Sequence, residues 1–141
     1  MRRLIWMLVV GCIVVSCNKK PRDLEYGKDE CHYCSMKIVE KQFGAQMVTE
    51  KGKIQMYDSA ECLIRDILNH PEKKSSFLKV TDYLTHEWLD AEKAYYLVSK
   101  NLPSPMGANL TSYKTKEEAD DMQTKKQGDV FNWEQIKKHF E

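Results

Sequence analysis

Apolar and polar residues follow one another in an order that predicts alternating strands and a helix. Two short apolar runs predict strands at residues 43–49 and 53–58, joined by a turn at Gly52. The next apolar residues recur at helical spacing on one face: Ala60, Leu63, Ile64, Ile67 and Leu68. Residues 77–81 then have the alternation of a strand. The first half of the domain is therefore predicted to run β-β-α-β.

The second half repeats this order with a weaker pattern. The expected elements are strands at 94–98, 110–114 and 129–132, a helix after Thr115 and a last helix over 133–140. Strands and helices in this order predict an α+β fold, with two related ββαβ units packed as a compact domain plus a C-terminal helix. We place the first unit at about residues 36–82 and the second at about 92–132.

Helix-capping residues support both predicted internal helices. Asp58 precedes the first helix and is expected to cap it, and Glu61 is expected to reach back from three residues on. Thr115 and Glu118 have the same spacing at the second helix.

The N-terminus has the pattern of an export signal. Arg2 and Arg3 precede an apolar run over residues 4–15, which is too short to span a bilayer comfortably. Val14-Val15-Ser16-Cys17 looks like a lipobox, which predicts a signal peptide over 1–16, cleavage before Cys17 and acylation of that residue. An ordinary signal peptide or a short membrane anchor is the alternative. Residues 17–28 are predicted to be a polar tether, and 29–141 the folded domain.

Net charge argues against nucleic acid as a partner. The formal charge is +1, and cleavage would remove two of the 22 basic residues and leave 20 against 21 acidic ones. A nucleic-acid binder usually carries a basic excess or patch. The predicted membrane anchor is therefore lipid, with no polybasic surface to assist it. Catalytic motifs such as a phosphate-binding glycine loop, GxSxG or HExxH do not occur, so we expect no enzyme.

Soft metal ligands are concentrated in the segment Cys31-His32-Tyr33-Cys34-Ser35-Met36. Thiolate and thioether donors select Cu(I) over harder ions. If Cys34 to Met36 is extended, both sulfur atoms project to the same side and can bind one ion. Two donors are too few for tight binding, so a third must come from elsewhere. The candidates are Cys31, His32, Cys62 and Met106, the last in the loop Pro103-Ser104-Pro105-Met106-Gly107.

Other interpretations of these residues remain open from the sequence. Cys31 and Cys34 form a CxxC pair, which is a frequent disulfide in exported proteins and also the motif of thiol–disulfide oxidoreductases. A structural zinc module is a further alternative, although a closed zinc site usually needs four ligands. Met36 and Met106 can also be core residues. Cys62 lies beside the apolar face of the first helix, which favours a packing role.

Several short motifs, taken together and in order, resemble those of the NosL family of nitrous oxide reductase accessory proteins. They are the lipobox ending at Cys17, the acidic-Cys-xx-Cys-x-Met segment 29–36, Met56-Tyr57-Asp58-Ser59 before a helix carrying Cys62, Trp88-Leu89-Asp90-Ala91, Pro105-Met106-Gly107, and Gly128-Asp129-Val130. The segment departs from the family pattern at Ser35, where the family often has glycine. Ser is small, so we expect the extended geometry to be preserved.

This resemblance implies a function and a ligand set. Members of the family are periplasm-facing lipoproteins that bind Cu(I) and act as metallochaperones for the copper sites of nitrous oxide reductase. They work with a membrane ABC-type transporter. The family's copper ligands correspond here to Cys34, Met36 and Met106. A role for Cys31 or His32 does not follow from the resemblance.

Overall fold

The computed structural model describes residues 20–141, which contain seven strands and three helices. The strands are β1 (Ala45–Thr49), β2 (Ile54–Tyr57), β3 (Ser75–Thr81), β4 (Trp88–Asp90), β5 (Tyr95–Val98), β6 (Leu110–Tyr113) and β7 (Asp129–Phe131). The helices are α1 (Ala60–Asn69), α2 (Lys116–Lys126) and α3 (Trp133–Phe140). Within this part of the chain, no helix combines the length and apolar composition needed to cross a membrane.

The strands form two antiparallel sheets whose order reveals the repeat. The first sheet has the order β2-β1-β3-β4 and the second β6-β5-β7. In each unit, the first strand is central and pairs with the second strand on one side and with the strand after the helix on the other. The α+β fold predicted from the element order is thus confirmed. β4 was not predicted as a strand, and it extends the first sheet by pairing with β3.

Helix α1 lies at the centre of the molecule because its apolar face is continuous. Leu63 and Ile64 have no exposed surface, and α1 packs against β1 and β2, β6 of the other sheet, and α3. Trp133 and Ile136 of α3 are buried in the same core. Most of α1 is therefore enclosed by both units, and a side chain on its inner face is shielded from water.

The start of α1 differs from the sequence prediction. Ser59, rather than Asp58, is the N-cap, and its hydroxyl accepts from the backbone N–H of Cys62 at 3.4 Å. The Glu61 carboxylate does not reach back to the cap but binds a loop of the second unit. A capping box does form at α2, between Thr115 and Glu118, as predicted.

The described part of the predicted tether is not free. Leu24 is buried in the core, and the Gln46 side chain both accepts from the backbone N–H of Arg22 and donates to its carbonyl. The Gly27 N–H donates to Ile38 at 2.8 Å. Residues 22–28 therefore belong to the folded domain, because Leu24 is buried in the core and hydrogen bonds hold the residues on either side of it. The predicted signal peptide over 1–16 and the lipidation site Cys17 lie outside the described residues.

Candidate metal centre

The six residues from Cys31 to Met36 form a tight turn, which we call the cysteine turn. The Cys31 N–H donates to the Met36 carbonyl at 2.8 Å, and the Ser35 N–H donates to the Cys31 carbonyl at 2.9 Å. A bridge between Glu30 and Lys37 closes the base of the turn. These bonds bring the two ends of the segment together and fix the position of the thiols between them.

The extended geometry predicted from Cys34 to Met36 is wrong. Ser35 has φ +62°, in the left-handed region, because the chain must reverse within the cysteine turn to close these hydrogen bonds. Left-handed backbone costs a non-glycine residue about 1–2 kcal/mol. This position therefore favours glycine because of its left-handed backbone, which the predicted extended strand would not have required.

The thiols of Cys31, Cys34 and Cys62 come together as one group, which we call the thiol cluster. Their sulfur atoms lie within 4.8 Å of one another, and all three thiols are free. Cys31 and Cys62 are buried, and Cys34 is half-buried. Sequence analysis favoured a core position for Cys62, which is confirmed, and named it as one of four candidates for a further donor without deciding among them. No spacing signal exists for a contact between residues so far apart in the chain.

Cys31 is the thiol of this group that ionises most readily. Its pKa is lowered to about 5, first by the hydrogen bond it shares with Cys62 and then by backbone N–H groups of Asp58, Cys34 and Tyr33, which together outweigh burial. Cys62 holds the shared proton, so its pKa is raised. Burial raises the pKa of Cys34, although the Met36 N–H opposes this. These hydrogen bonds therefore favour ionisation of Cys31 over that of Cys34 and Cys62.

The environment of the thiol cluster is acidic. The side chain of Asp58 is buried, and in residues 20–141 its Oδ2 has no hydrogen-bond partner. Burial, followed by the charges of Cys31, Glu40 and Glu61, raises the pKa of Asp58 to about 6. Each of these charges is negative. A cation entering the cluster would thus be attracted, whereas an anion would be repelled.

Met36 and Met106, the two methionines predicted as ligands, differ in their exposure to solvent. Met36 ends the cysteine turn and has 45% of its surface exposed. Met106 is half-buried and packs against the core group that contains Cys31 and Cys62. The Met106 N–H donates to the Glu61 carboxylate, and Glu61 is the residue before Cys62, so the loop that carries Met106 adjoins the first turn of α1.

Residues 103–109 form the loop that carries Met106, which we call the methionine loop. The buried carboxylate of Glu61 holds this loop in place. Glu61 Oε1 accepts from Ser104 Oγ at 2.9 Å and from the Met106 N–H at 2.9 Å. Burial raises the pKa of Glu61, and hydrogen bonds from Ser104, Met106 and Ala108 oppose this. Glu61 directly precedes Cys62, so a single turn of α1 fixes both the loop and a cluster thiol. Sequence analysis did not identify this role.

His32, a possible additional ligand, is engaged elsewhere in the structure. Its ring Nε2 hydrogen-bonds with the Gln55 side chain, and its ring lies edge-on to Tyr57 with centroids 6.1 Å apart. Burial lowers its pKa.

Two alternative interpretations lose support from this geometry. The Cys31–Cys34 pair lies in a turn, not at the helix N-terminus that activates thioredoxin-like thiols. In the described part of the chain the cluster comprises three His, Cys or acidic side chains, one fewer than a closed zinc site usually contains.

Comparisons with known proteins agree with the resemblance seen in the sequence. The NosL family profile matches residues 24–140. The "copper-binding lipoprotein NosL" of Stutzerimonas stutzeri is 28% identical over 121 residues, a match that covers 79% of this chain and 63% of that protein. The chain thus spans less than two thirds of that relative's length. The crystal structure of the copper chaperone NosL from Shewanella denitrificans matches with a TM-score of 0.73 and 20% identity over 84% of this chain and 96% of that one, a likeness of fold. Since the profile covers most of the sequence, this chain belongs to the NosL family.

Proposed function

We propose that this protein is a Cu(I) chaperone of the cell envelope and not an enzyme. The observation that carries the proposal is the thiol cluster, in which three sulfur atoms lie within 4.8 Å of one another and Cys34 reaches the surface. Soft sulfur donors in an acidic environment favour a soft monovalent cation. Relatives named as copper-binding proteins and chaperones support copper as that ion.

The ligands from which copper is transferred are Cys34, Met36 and Met106. One thiolate and two thioethers balance the single positive charge of Cu(I), so the loaded site is neutral. Neutrality matters in a half-buried site because uncompensated charge is costly to remove from water. The thioethers also need no deprotonation and form no disulfides in an oxidising compartment.

Exposure at one edge of this ligand set suits transfer of the ion. Met36 is 45% exposed, and Cys34, two residues before it in the cysteine turn, is half-buried. A recipient's sulfur or nitrogen ligand can therefore approach the ion and replace the carrier's ligands one at a time. A fully enclosed ion would have to wait for the domain to open.

Acylation of Cys17 attaches the protein to a membrane and leaves the domain facing the periplasm. The lipobox Val14–Cys17 and the lipoprotein name of the Stutzerimonas relative support this. Each buried CH₂ contributes roughly 0.8 kcal/mol to membrane binding, so two or three acyl chains hold a protein firmly. A labelled fatty acid should be incorporated into the wild-type protein and not into Cys17→Ala.

The recipients of copper are nitrous oxide reductase and the ABC-type transporter that serves its maturation. Deleting the gene in its host should leave the reductase present but poor in copper. The wild-type gene should restore its copper content, and Cys34→Ala should not. Copper per reductase, measured on the purified enzyme, is the readout. A fully loaded reductase from the deletion strain would contradict the assigned recipient.

Binding itself is tested on the full chain, purified in detergent and reduced without oxygen. Competition with a chromophoric Cu(I) chelator should show one tightly bound ion per chain. Cys34→Ala should lower the affinity by on the order of a hundredfold, and Met36→Leu should lower it less but slow transfer to an acceptor. Phe77→Leu, an exposed apolar residue in β3, is the matched control and should change neither quantity. Wild-type affinity in Cys34→Ala would remove the proposed site.

A further inference from the structure

The thiol cluster contains three thiols, whereas the proposed transfer site uses only that of Cys34. Cys31 and Cys62 are almost fully buried behind Cys34, and neither belongs to the ligand set proposed for transfer. Buried free cysteines often serve only as small core residues. Core packing alone, however, does not require the Cys62 sulfur of α1 to converge with the two sulfur atoms of the cysteine turn.

The spacing of the three sulfur atoms fits one ion at their centre. A metal–thiolate bond of about 2.3 Å, the length of a Zn–S bond, places the three sulfurs of a trigonal site about 4 Å apart. The observed sulfur atoms all lie within 4.8 Å of one another. Only small side-chain rotations are needed to close the triangle around an ion.

A second, independent feature indicates that a cation belongs here. Asp58 is 1% exposed, and its Oδ2 is without a hydrogen-bond partner in the described residues. Buried polar atoms normally have partners, and each exception asks for an explanation. The charges acting on this carboxyl are those of Cys31, Glu40 and Glu61. A cation beside Oδ2 would give this unpartnered acceptor an attractive interaction.

We propose that Cys31, Cys34 and Cys62 form an inner Cu(I)-holding position that shares Cys34 with the outer position formed by Met36 and Met106. This inference rests on the proposed copper function and adds a resting place for the ion. Copper sits at the inner position, where burial excludes water and oxidants. It moves outward through Cys34 when a recipient docks.

The movement is ligand exchange without electron transfer. Each step forms one copper–sulfur bond as another breaks, and copper remains Cu(I) throughout. A thiol that binds copper releases its proton to water, and it takes up a proton when the ion leaves. Because Cys34 is common to both positions, the ion is never without a thiolate ligand inside the protein.

Selenium labelling separates the two positions experimentally. The full chain, produced with selenomethionine, reduced without oxygen and kept in detergent, is loaded with one equivalent of Cu(I) as its acetonitrile complex. In X-ray absorption at the copper edge, sulfur neighbours then come from cysteines and selenium neighbours from methionines. We expect two or three sulfur neighbours. Cys31→Ala and Cys62→Ala should each remove one and weaken binding by roughly tenfold or more.

Ile64→Val is the matched control for Cys62→Ala. It also removes a buried heavy atom from the inner part of α1 but leaves the thiols intact, so its copper affinity should equal that of the wild type. Metal-free thermal unfolding of each variant reports any loss of fold. The absorption spectrum of the wild-type protein gives the answer even if Cys62→Ala does not fold.

One sulfur and two selenium neighbours, with unchanged copper affinity in Cys31→Ala, would overturn the inner position and leave the transfer site standing. A wild-type protein that binds no Cu(I) would instead remove the proposed function itself. The two failures are therefore distinguishable.

Discussion

The two ββαβ units have the same strand order but differ in what surrounds their helices. α1 is enclosed by strands of both sheets and by α3, and six of its ten residues are buried. α2 packs on its own sheet, and Ala119 is its one buried residue. The enclosed helix carries Cys62 and Glu61, whereas the exposed helix carries none of the candidate ligands. The helix of the first unit thus carries a cluster thiol and the carboxylate that holds the methionine loop. The second unit contributes the methionine loop itself.

The largest expected difference between the units concerns one aspartate in each helix. Asp66 of α1 is buried and accepts from Tyr57 Oη at 2.7 Å and from Lys73 Nζ at 2.8 Å. Asp66→Asn should lower the free energy of unfolding by about 2–3 kcal/mol, because Lys73 and Tyr57 lose a charged acceptor in the interior. Denaturant unfolding monitored by circular dichroism measures the loss.

The matched control is Asp120→Asn in α2, where Asp120 pairs with Lys116 at the surface. We expect no measurable change there, since exposed ion pairs contribute little. Equal losses in both variants would show that the two helices do not differ as described.

The Asp66 network also predicts an acid dependence. Burial raises the pKa of Asp66, but hydrogen bonds from Lys73 and Tyr57 outweigh it and lower the pKa below its ordinary value of 3.8. The network's contribution is therefore complete above about pH 4 and is lost as the pH falls through the lowered value. Unfolding free energy measured between pH 5 and pH 2 should fall more steeply in the wild type than in Asp66→Asn.

A smaller effect is expected from Glu61 and Glu118, which lie in the first turns of α1 and α2. Glu118 closes the capping box of its own helix, whereas Glu61 binds Ser104 and Met106 of the other unit. Glu61→Gln should cost about 1–2 kcal/mol, because the amide nitrogen cannot accept the loop's N–H groups. Faster hydrogen exchange at the Met106 and Ala108 amides is the specific readout. Glu118→Gln should leave those amides unchanged, and faster exchange there as well would mean that α2 also holds the loop.

The smallest expected effect concerns two residues with positive φ, one in the cysteine turn and one at the end of α2. Ser35 of the cysteine turn and Gln127 at the end of α2 have φ of 62° and 61°. Replacing either by Gly should raise the free energy of unfolding by about 0.5–1 kcal/mol, because glycine adopts the left-handed region without a Cβ penalty. Ser35→Val should instead destabilise. A loss of stability in Ser35→Gly would indicate that the Ser35 side chain makes a contribution of its own.

Much of the fold could be predicted because helix periodicity and strand runs are local signals. The apolar spacing of Ala60 to Leu68 located α1, and the Thr115–Glu118 pair located the start of α2. The cap of α1 was predicted one residue early, because Asp58 and Ser59 are both capping types and only their backbone distinguishes them. β4 was missed because a three-residue strand carries too little pattern.

The candidate site was only partly predictable. The soft ligands of the cysteine turn stand together in the sequence, so their chemistry was evident, but their left-handed turn was not. Cys62 and Glu61 meet their partners through tertiary contacts, which leave no spacing signal in the chain. The assignment of copper to Cys34, Met36 and Met106 remains a proposal that rests on the family resemblance.

The proposed sulfur ligands lie on a turn, a helix and a loop that come together only when the chain folds. An unfolded chain keeps only the ligands of the cysteine turn together, so copper would bind the native state more tightly, and each tenfold excess of free ion over Kd would add up to about 1.4 kcal/mol to its stability. Carriers with cargo would therefore open less often than carriers without it. Envelope proteases that cut opened chains would remove empty carriers first, and the lifetime of each molecule would report whether it holds metal.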